Sequence, residues 1–305
     1  MKCIFKEKNM IGVNVYGLLD EIQIDLAGTF QQIAAAGFDE VELLALPQKE
    51  QGEAPLAMAA EETMPRMIDQ AKQCGLTVNS VHVLCIMESD IPPVKTVADT
   101  IRRLKHQFGI ENYVFSGMYD NVAGAEKWAA YLRELAATTK SDGCRIVYHN
   151  HSQEFTPVAA DGNRPTALDH FFASAGRDVW LQLDIGWAGI AGNECEIAEK
   201  YAERIVCLHL KDFVPGTKGK YFHQNMPDER FCAIGSGEIQ TAQILEMRHT
   251  FPNFMGSIII DQDHSSTNML DDIRLGQQNL CSMLRKGGKD SGNTAAEPHD
   301  FPYGC

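Results

Sequence analysis

The 305-residue sequence predicts an α/β fold, a closed (β/α)8 barrel, on three observations. Short β-rich runs alternate with amphipathic or Ala/Leu-rich helical stretches, the alternation that builds a parallel sheet. There are eight such runs, the number a closed barrel needs, and single barrels typically take about 250 residues. The fifth to eighth runs each end in a side chain that can hold a metal or move a proton: Tyr148-His149-Asn150-His151, Leu183-Asp184, Leu208-His209 and Ile260-Asp261. Side chains at the ends of separate strands meet only where those strands are parallel neighbours, and in a parallel barrel they meet at the strand C-termini.

Taken in order, strands are expected at 11–16, 40–44, 77–83, 113–116, 145–151, 179–184, 205–211 and 257–263. Between the third and fourth, Val97, Ile101, Leu104 and Phe108 recur at the spacing of a helix that lies on a sheet. Gly37, Gly75 and Gly109 stand shortly before the next strand, where a glycine suits a helix C-terminus. An open doubly wound sheet is the rival fold. No G-x-G-x-x-G follows the first strand, and eight regular units favour closure. In the fifth strand alternate side chains share a face, so His149 and His151 point the same way while Glu154 lies just past the strand end. After the seventh strand, residues 212–239 are longer than an ordinary connection and rich in Gly, Pro, Lys and aromatics (Phe213, Tyr221, Phe222, Phe231). They read as a lid over the site or, with equal weight, as a surface insertion or subunit contact. Glu238 near the end of that segment reads as a turn or helix-start residue. Residues 1–287 form one catalytic barrel domain in this reading, and 288–305, polar and rich in Gly and Pro, a flexible tail.

Composition narrows the partners. A formal net charge of -14 repels phosphate backbones, which counts against a nucleic-acid partner and against a nuclease. No apolar run approaches the roughly 18 residues of a membrane span. The nine cysteines are odd in number, scattered and without a C-x-x-C pair, so neither structural zinc nor a disulfide framework is expected. The first eight residues carry charges where a signal peptide needs an apolar core, and a reducing cytoplasm is the expected location. Homo-oligomerisation stays open.

Singly, each candidate ligand has a plain structural reading: a strand-end histidine is often only hydrogen-bonded, and an Asp after a strand often caps a helix. Together His149, Asp184, His209 and Asp261 make a mixed nitrogen and oxygen set, with no thiolate to demand a soft ion. The motifs Tyr148-His149-Asn150-His151-x-x-Glu154-Phe155, Leu183-Asp184-x-x-Trp187-Ala188, Leu208-His209-Leu210-Lys211-Asp212, Gly235-x-Gly237-Glu238-Ile239 and Ile260-Asp261-Gln262-Asp263, in that order, resemble the sugar phosphate isomerase/epimerase family of xylose isomerase-like TIM barrels. The resemblance runs from about the first strand to the eighth helix.

It implies one divalent metal ion, manganese first and zinc, cobalt, iron or magnesium as alternatives, held by His149, Asp184, His209 and Asp261. In the ketose epimerases of that superfamily the corresponding ligands are Glu, Asp, His and Glu. His149 therefore stands in place of the first glutamate and Asp261, one methylene shorter, in place of the last. Those glutamates are also the epimerases' proton-transfer pair, so a simple two-base epimerisation does not carry over unchanged. The implied chemistry is proton abstraction beside a metal-polarised carbonyl, through an enediolate, in an isomerase or epimerase of a sugar or keto-sugar. A dehydratase or lyase acting on a keto-inositol or keto-glycoside is the close alternative. An endonuclease IV-like phosphodiesterase and a non-catalytic barrel subunit stand further off.

Asp261, Glu154 and His149 are the candidate proton-transfer groups. Glu154 can equally anchor a sugar hydroxyl or orient His151. His82, His151, Lys211, Trp187 and Glu42 are the candidate substrate contacts. Lys211 would hold an oxyanion or hydroxyl, or else pair with Asp212 or Asp184. Trp187 would offer an apolar wall to a sugar face, and Glu42 would receive a buried hydrogen bond.

Overall fold

In the computed structural model, which describes residues 9–45, 63–84, 91–158 and 165–287, eight parallel strands close into one barrel. They are β1 (Met10–Asn14), β2 (Glu40–Ala45), β3 (Thr77–Leu84), β4 (Asn112–Ser116), β5 (Arg145–His149), β6 (Val179–Asp184), β7 (Ile205–Leu210) and β10 (Ser257–Ile260). The ring closes by pairing β1 with β10, Val13 opposite Ile260. A two-stranded antiparallel ribbon, β8 (Asp212–Phe213) with β9 (Phe231–Cys232), stands at the mouth in the long connection after β7. All eight strand expectations are met. The rival open sheet is excluded by the closed ladder.

Four ladders stop earlier than expected, β1 among them at Asn14 rather than 16. β5 ends at His149, β7 at Leu210 and β10 at Ile260, one to three residues short of the sequence-based bounds 151, 211 and 263. Here the chain leaves the sheet to present His151, Lys211 and Asp263 at the mouth, and a residue that turns away from its neighbour strand no longer joins the ladder.

The strands are apolar because helices cover their outer faces. β7, IVCLHL, is buried at all six positions, as a strand covered on both sides must be. The helix Val94–Phe108 buries Val97, Ile101 and Leu104 of the expected stripe. It ends at Gly109, whose φ of 79° is the left-handed conformation in which a side chain would be strained. The helix Ala167–Ala175 starts with a reciprocal capping box between Thr166 and Asp169. Gly186 acts directly on the site. A Cβ there would lie 2.5 Å from Lys211 Cβ, so only glycine lets the helix Ile185–Ala191 begin right after Asp184 and still pass the end of β7.

Among the described residues no helix is long and apolar enough to cross a membrane. The six described cysteines are free thiols. The expected tail at 288–305 lies outside the described residues.

Candidate active site

His149, Asp184, His209 and Asp261 come together at the C-terminal mouth of the barrel, one from the end of each of four adjacent strands. One potential ligand atom from each falls within 4.8 Å of all the others, and all four residues are buried. Ligands about 2.1 Å from one ion stand roughly 3 to 4.2 Å apart, so the cluster is slightly wider than a closed shell. Two details fit a cation. Asp184 Oδ1 accepts the Trp187 N–H at 2.8 Å as a helix cap, while its buried Oδ2 has no hydrogen-bond partner. That oxygen faces His149 Nε2 at 3.9 Å, too far for a hydrogen bond. Oδ1 thus meets the cap reading of Asp184, and Oδ2 stays open for the ligand reading.

A shell of polar side chains aims these four residues. Gln182 donates from Nε2 to Glu42 Oε2 at 2.8 Å, which leaves its amide oxygen to accept from His149 Nδ1 at 2.9 Å. His149 must then carry its proton on Nδ1 and offer the Nε2 lone pair to the cluster. Burial, followed by the charges of His209 and His82, holds the His149 imidazole well below its usual range, so it is neutral, as a ligand must be. Asn150 grips the Asp184 backbone from both sides, accepting its N–H at 3.0 Å and donating to its carbonyl at 3.1 Å.

Glu42 lies beneath the cluster rather than on the cavity wall. Its carboxylate accepts from Asn14 at 2.7 Å and Ser80 at 2.6 Å besides Gln182, and His209 Nε2 stands 3.0 Å away with its N–H not aimed along the contact. Burial works against ionisation of Glu42, but His209 and His82 outweigh it and hold the carboxyl well below its usual range. Burial likewise works against a charged His209, yet Glu42 and Asp261 push it up to about 10. The second nitrogen, Nδ1, is 3.2 Å from Asp261 Oδ2. His209 is therefore backed by one carboxylate and faces another across a gap that a proton or a metal can fill.

Lys211 is fully buried between Asp261 Oδ2 at 3.1 Å and Asp263 Oδ1 at 2.5 Å. These, not Asp212 or Asp184, are its ion-pair partners, because Asp212 turns away and accepts N–H groups from Phe213, Gly235, Gly237 and Ile239. The ammonium also sits 5.4 Å from the centre of the Trp187 ring. Burial alone would raise the Asp261 carboxyl; Lys211 and His209 reverse this and hold it well below the usual carboxylate range.

A cavity of about 350 Å³ opens over the cluster, lined by His82, His149, His151, Trp187, Lys211 and Asp261 among the expected residues. That volume suits a small ligand. Glu154 and Glu42 are not on its wall. Glu154 accepts from Tyr148 OH at 2.8 Å and from the His151 N–H at 3.1 Å, contacts that match an orienting role more closely than a base. His82 Nε2 meets Ser116 Oγ at 3.2 Å. His223 and Tyr16 also line the wall without having been singled out, and Asp263 lines it from the last of the motifs. Gln182, two residues before Asp184 and so on the same face of its strand, was discoverable from strand periodicity alone.

The segment 212–239 does stand over the cavity, contributing His223, Met226 and Phe231 to its wall. It is stitched at its base. Glu238 accepts the N–H groups of Gly216, Thr217 and Lys218 at 2.9, 2.7 and 2.6 Å, closing a turn as its reading required.

Several known proteins are similar to the chain in sequence or in fold. An inosose dehydratase of Clostridium perfringens is 26% identical over 175 residues, 53% of this chain and 56% of the relative, so the match spans little more than half of that protein. A sugar phosphate isomerase/epimerase from Parabacteroides distasonis superposes with a TM-score of 0.71 at 17% identity, over 93% of this chain and 96% of that one. The IOLI protein, whose crystal structure contains a zinc atom, superposes at 0.63 with 13% identity, over 91% and 98%. Residues 30–281 match the family model of the xylose isomerase-like TIM barrel, and the chain belongs to that family.

Proposed function

We propose that this chain is a divalent-metal-dependent isomerase or epimerase of a keto-sugar that removes a proton from the carbon beside the carbonyl. The observation that carries this reading is the four-residue cluster of His149, Asp184, His209 and Asp261 with Lys211 beside it, at the base of a ligand-sized cavity. A divalent ion held there, manganese or another of the first-row ions or magnesium, would polarise a substrate carbonyl and acidify the adjacent C–H; the zinc in the structurally similar IOLI protein supports an ion of this kind. Asp261 is assigned as the base, since it stands on the cavity wall and is kept ionised by Lys211 and His209. Lys211 Nζ, 3.1 Å from Asp261, can donate to the oxyanion that forms as the proton leaves. His149 is assigned to metal holding alone, because Gln182 engages its other nitrogen. Trp187 offers its ring to an apolar sugar face.

Elimination is the second reading, and one observation favours it. With His149 in place of a carboxylate, Asp261 is left without a matching carboxylate ligand as partner base, and a single base suffices to start loss of a leaving group from the next carbon. The name of the Clostridium perfringens relative points the same way. Turnover in deuterium oxide separates the outcomes. Deuterium beside the carbonyl with conserved composition supports isomerisation or epimerisation, loss of water or an aglycone supports elimination, and turnover without exchange or elimination overturns both.

A further inference from the structure

An outer part of the cavity wall comes from a residue that no strand-end motif signals. His223 begins the short turn His223–Asn225 in the connection after β7, and its ring centre lies 4.5 Å from that of His151 and 5.0 Å from that of Trp187. His151 in turn lies 5.0 Å from the ligand His149. His223 is therefore two ring contacts out from the metal cluster. Its backbone N–H donates to Ser152 Oγ at 2.8 Å, and Asn225 Oδ1 accepts the Phe222 N–H at 2.7 Å. Ser152 is buried and follows His151 directly. The connection after β7 is in this way fastened across the mouth to the connection after β5.

The charge of this wall disfavours an anion. Among the described lining residues Lys211 is the single Lys or Arg, and it is already shared by two carboxylates, Asp261 and Asp263. Away from the reacting carbonyl, a phosphate dianion would meet those carboxylates with no second Lys or Arg among the described lining residues to answer it, and like charges brought together at close range repel. His223 suits a different partner. Burial, with help from His151 and Lys211, pushes its imidazole down to about 3, so at neutral pH the ring is uncharged and offers one N–H donor and one lone pair. A hydroxyl group can use both.

Building on the proton-abstraction reading above, we propose that the substrate is an uncharged keto-polyol rather than a sugar phosphate, and that His223, held in place by Ser152, hydrogen bonds one of its hydroxyls away from the reacting carbonyl. His223 is then a specificity residue and Ser152 its positioning residue. The same wall admits a free sugar or a cyclitol.

The test uses the full chain loaded with zinc, a diamagnetic ion, with its histidine rings labelled for NMR. The probes are neutral keto-hexoses and keto-inositols and the phosphates of the same hexoses. At least one neutral compound should bind saturably and shift the His223 ring resonance, with the corresponding phosphates binding at least tenfold more weakly. His223→Leu should weaken that binding about tenfold, the worth of one hydrogen bond, while His223→Gln, which keeps a donor and an acceptor, should stay within about threefold. Ser152→Ala should fall between them. Tighter binding of the phosphates overturns the proposal, and so does a neutral ligand that leaves the His223 resonance unmoved and binds His223→Leu as well as it binds wild type. A panel in which nothing binds overturns the substrate class. The reaction class is judged separately, since deuterium exchange into any carbonyl compound would preserve it.

Discussion

Gln182→Leu should loosen metal binding although Gln182 touches no metal. Its side chain is buried and makes two hydrogen bonds that matter, accepting from His149 Nδ1 at 2.9 Å and donating to Glu42 Oε2 at 2.8 Å. Leucine fills similar space and does neither. The His149 ring then loses the partner that holds its proton on Nδ1, and part of the population will carry that proton on Nε2, where it blocks the lone pair needed by an ion. Losing such an outer partner typically costs about 10- to 100-fold in metal affinity, roughly 1.4 to 2.7 kcal/mol. The fold pays separately, by about 1 kcal/mol for the neutral bond and about 1.5 to 3 for the one to the ionised Glu42. Competition of the variant with a chromophoric chelator for zinc measures the first quantity, and urea unfolding of the metal-free protein measures the second. Zinc affinity within twofold of wild type, in a variant that has lost stability as expected, would show that Gln182 supports the barrel without aiming His149 and would refute the reasoning.

The remaining predictions concern the ligands and the barrel floor. Asp184→Ala and His209→Ala should each lose the metal at unchanged circular dichroism, and full occupancy in both by elemental analysis would remove the assignment of the cluster. Glu40, buried in the barrel and hydrogen-bonded by Ser257, has its carboxyl raised from 4.5 to about 7, chiefly by burial and further by Glu42. Between these values the folded chain keeps a proton that the unfolded chain has lost, so Glu40 should make stability fall as pH rises from about 4.5 to about 7, by at most about 3 kcal/mol. Glu40→Gln should flatten that slope. Equal slopes in urea titrations of the two proteins at pH 5 and pH 8 would exclude Glu40 as its source.

The barrel and the four residues that gather at its mouth were legible because both are written in local patterns. A β-rich run announces its strand, and the side chain at its end announces what reaches the mouth; hence His149, Asp184, His209 and Asp261 could be named before any fold was seen. Pairing across the barrel was not legible. Glu42 receives Asn14, Ser80 and Gln182 from three other strands, and nothing in the sequence near residue 42 states that these four polar groups share one interior layer. The orienting role of Glu154 was open at the sequence level because a carboxylate three residues beyond His151 can turn either into the cavity or back onto its own loop; Tyr148 and the His151 N–H draw it back. His223 was hidden for another reason. It sits in a run of glycines, aromatics and lysines with no periodicity, and the hydrogen bond to Ser152 together with ring contacts to His151 and Trp187 brings it to the site.

Charge balance distinguishes the cluster from an ordinary buried ion-pair network. Glu42, Asp184 and Asp261 are buried carboxylates, with Asp263 beside them, whereas the protein cations nearby are Lys211 and, when protonated, His209. A network that served stability alone would leave no charged oxygen without a partner, because an unpaired buried charge costs several kcal/mol. Here Asp184 Oδ2 is buried without a hydrogen-bond partner. Burial pushes its carboxyl up to about 7, with Asp261 adding to the rise against the pull of Lys211. The same group is fixed in place at real structural effort: Asn150 holds its backbone twice, Trp187 N–H engages its other oxygen, and Gly186 is needed for the helix to start there. An oxygen held so firmly yet left without a hydrogen-bond partner is placed to receive a cation, and in the proposed reading a divalent metal would add the positive charge that Lys211 and His209 do not bring to it.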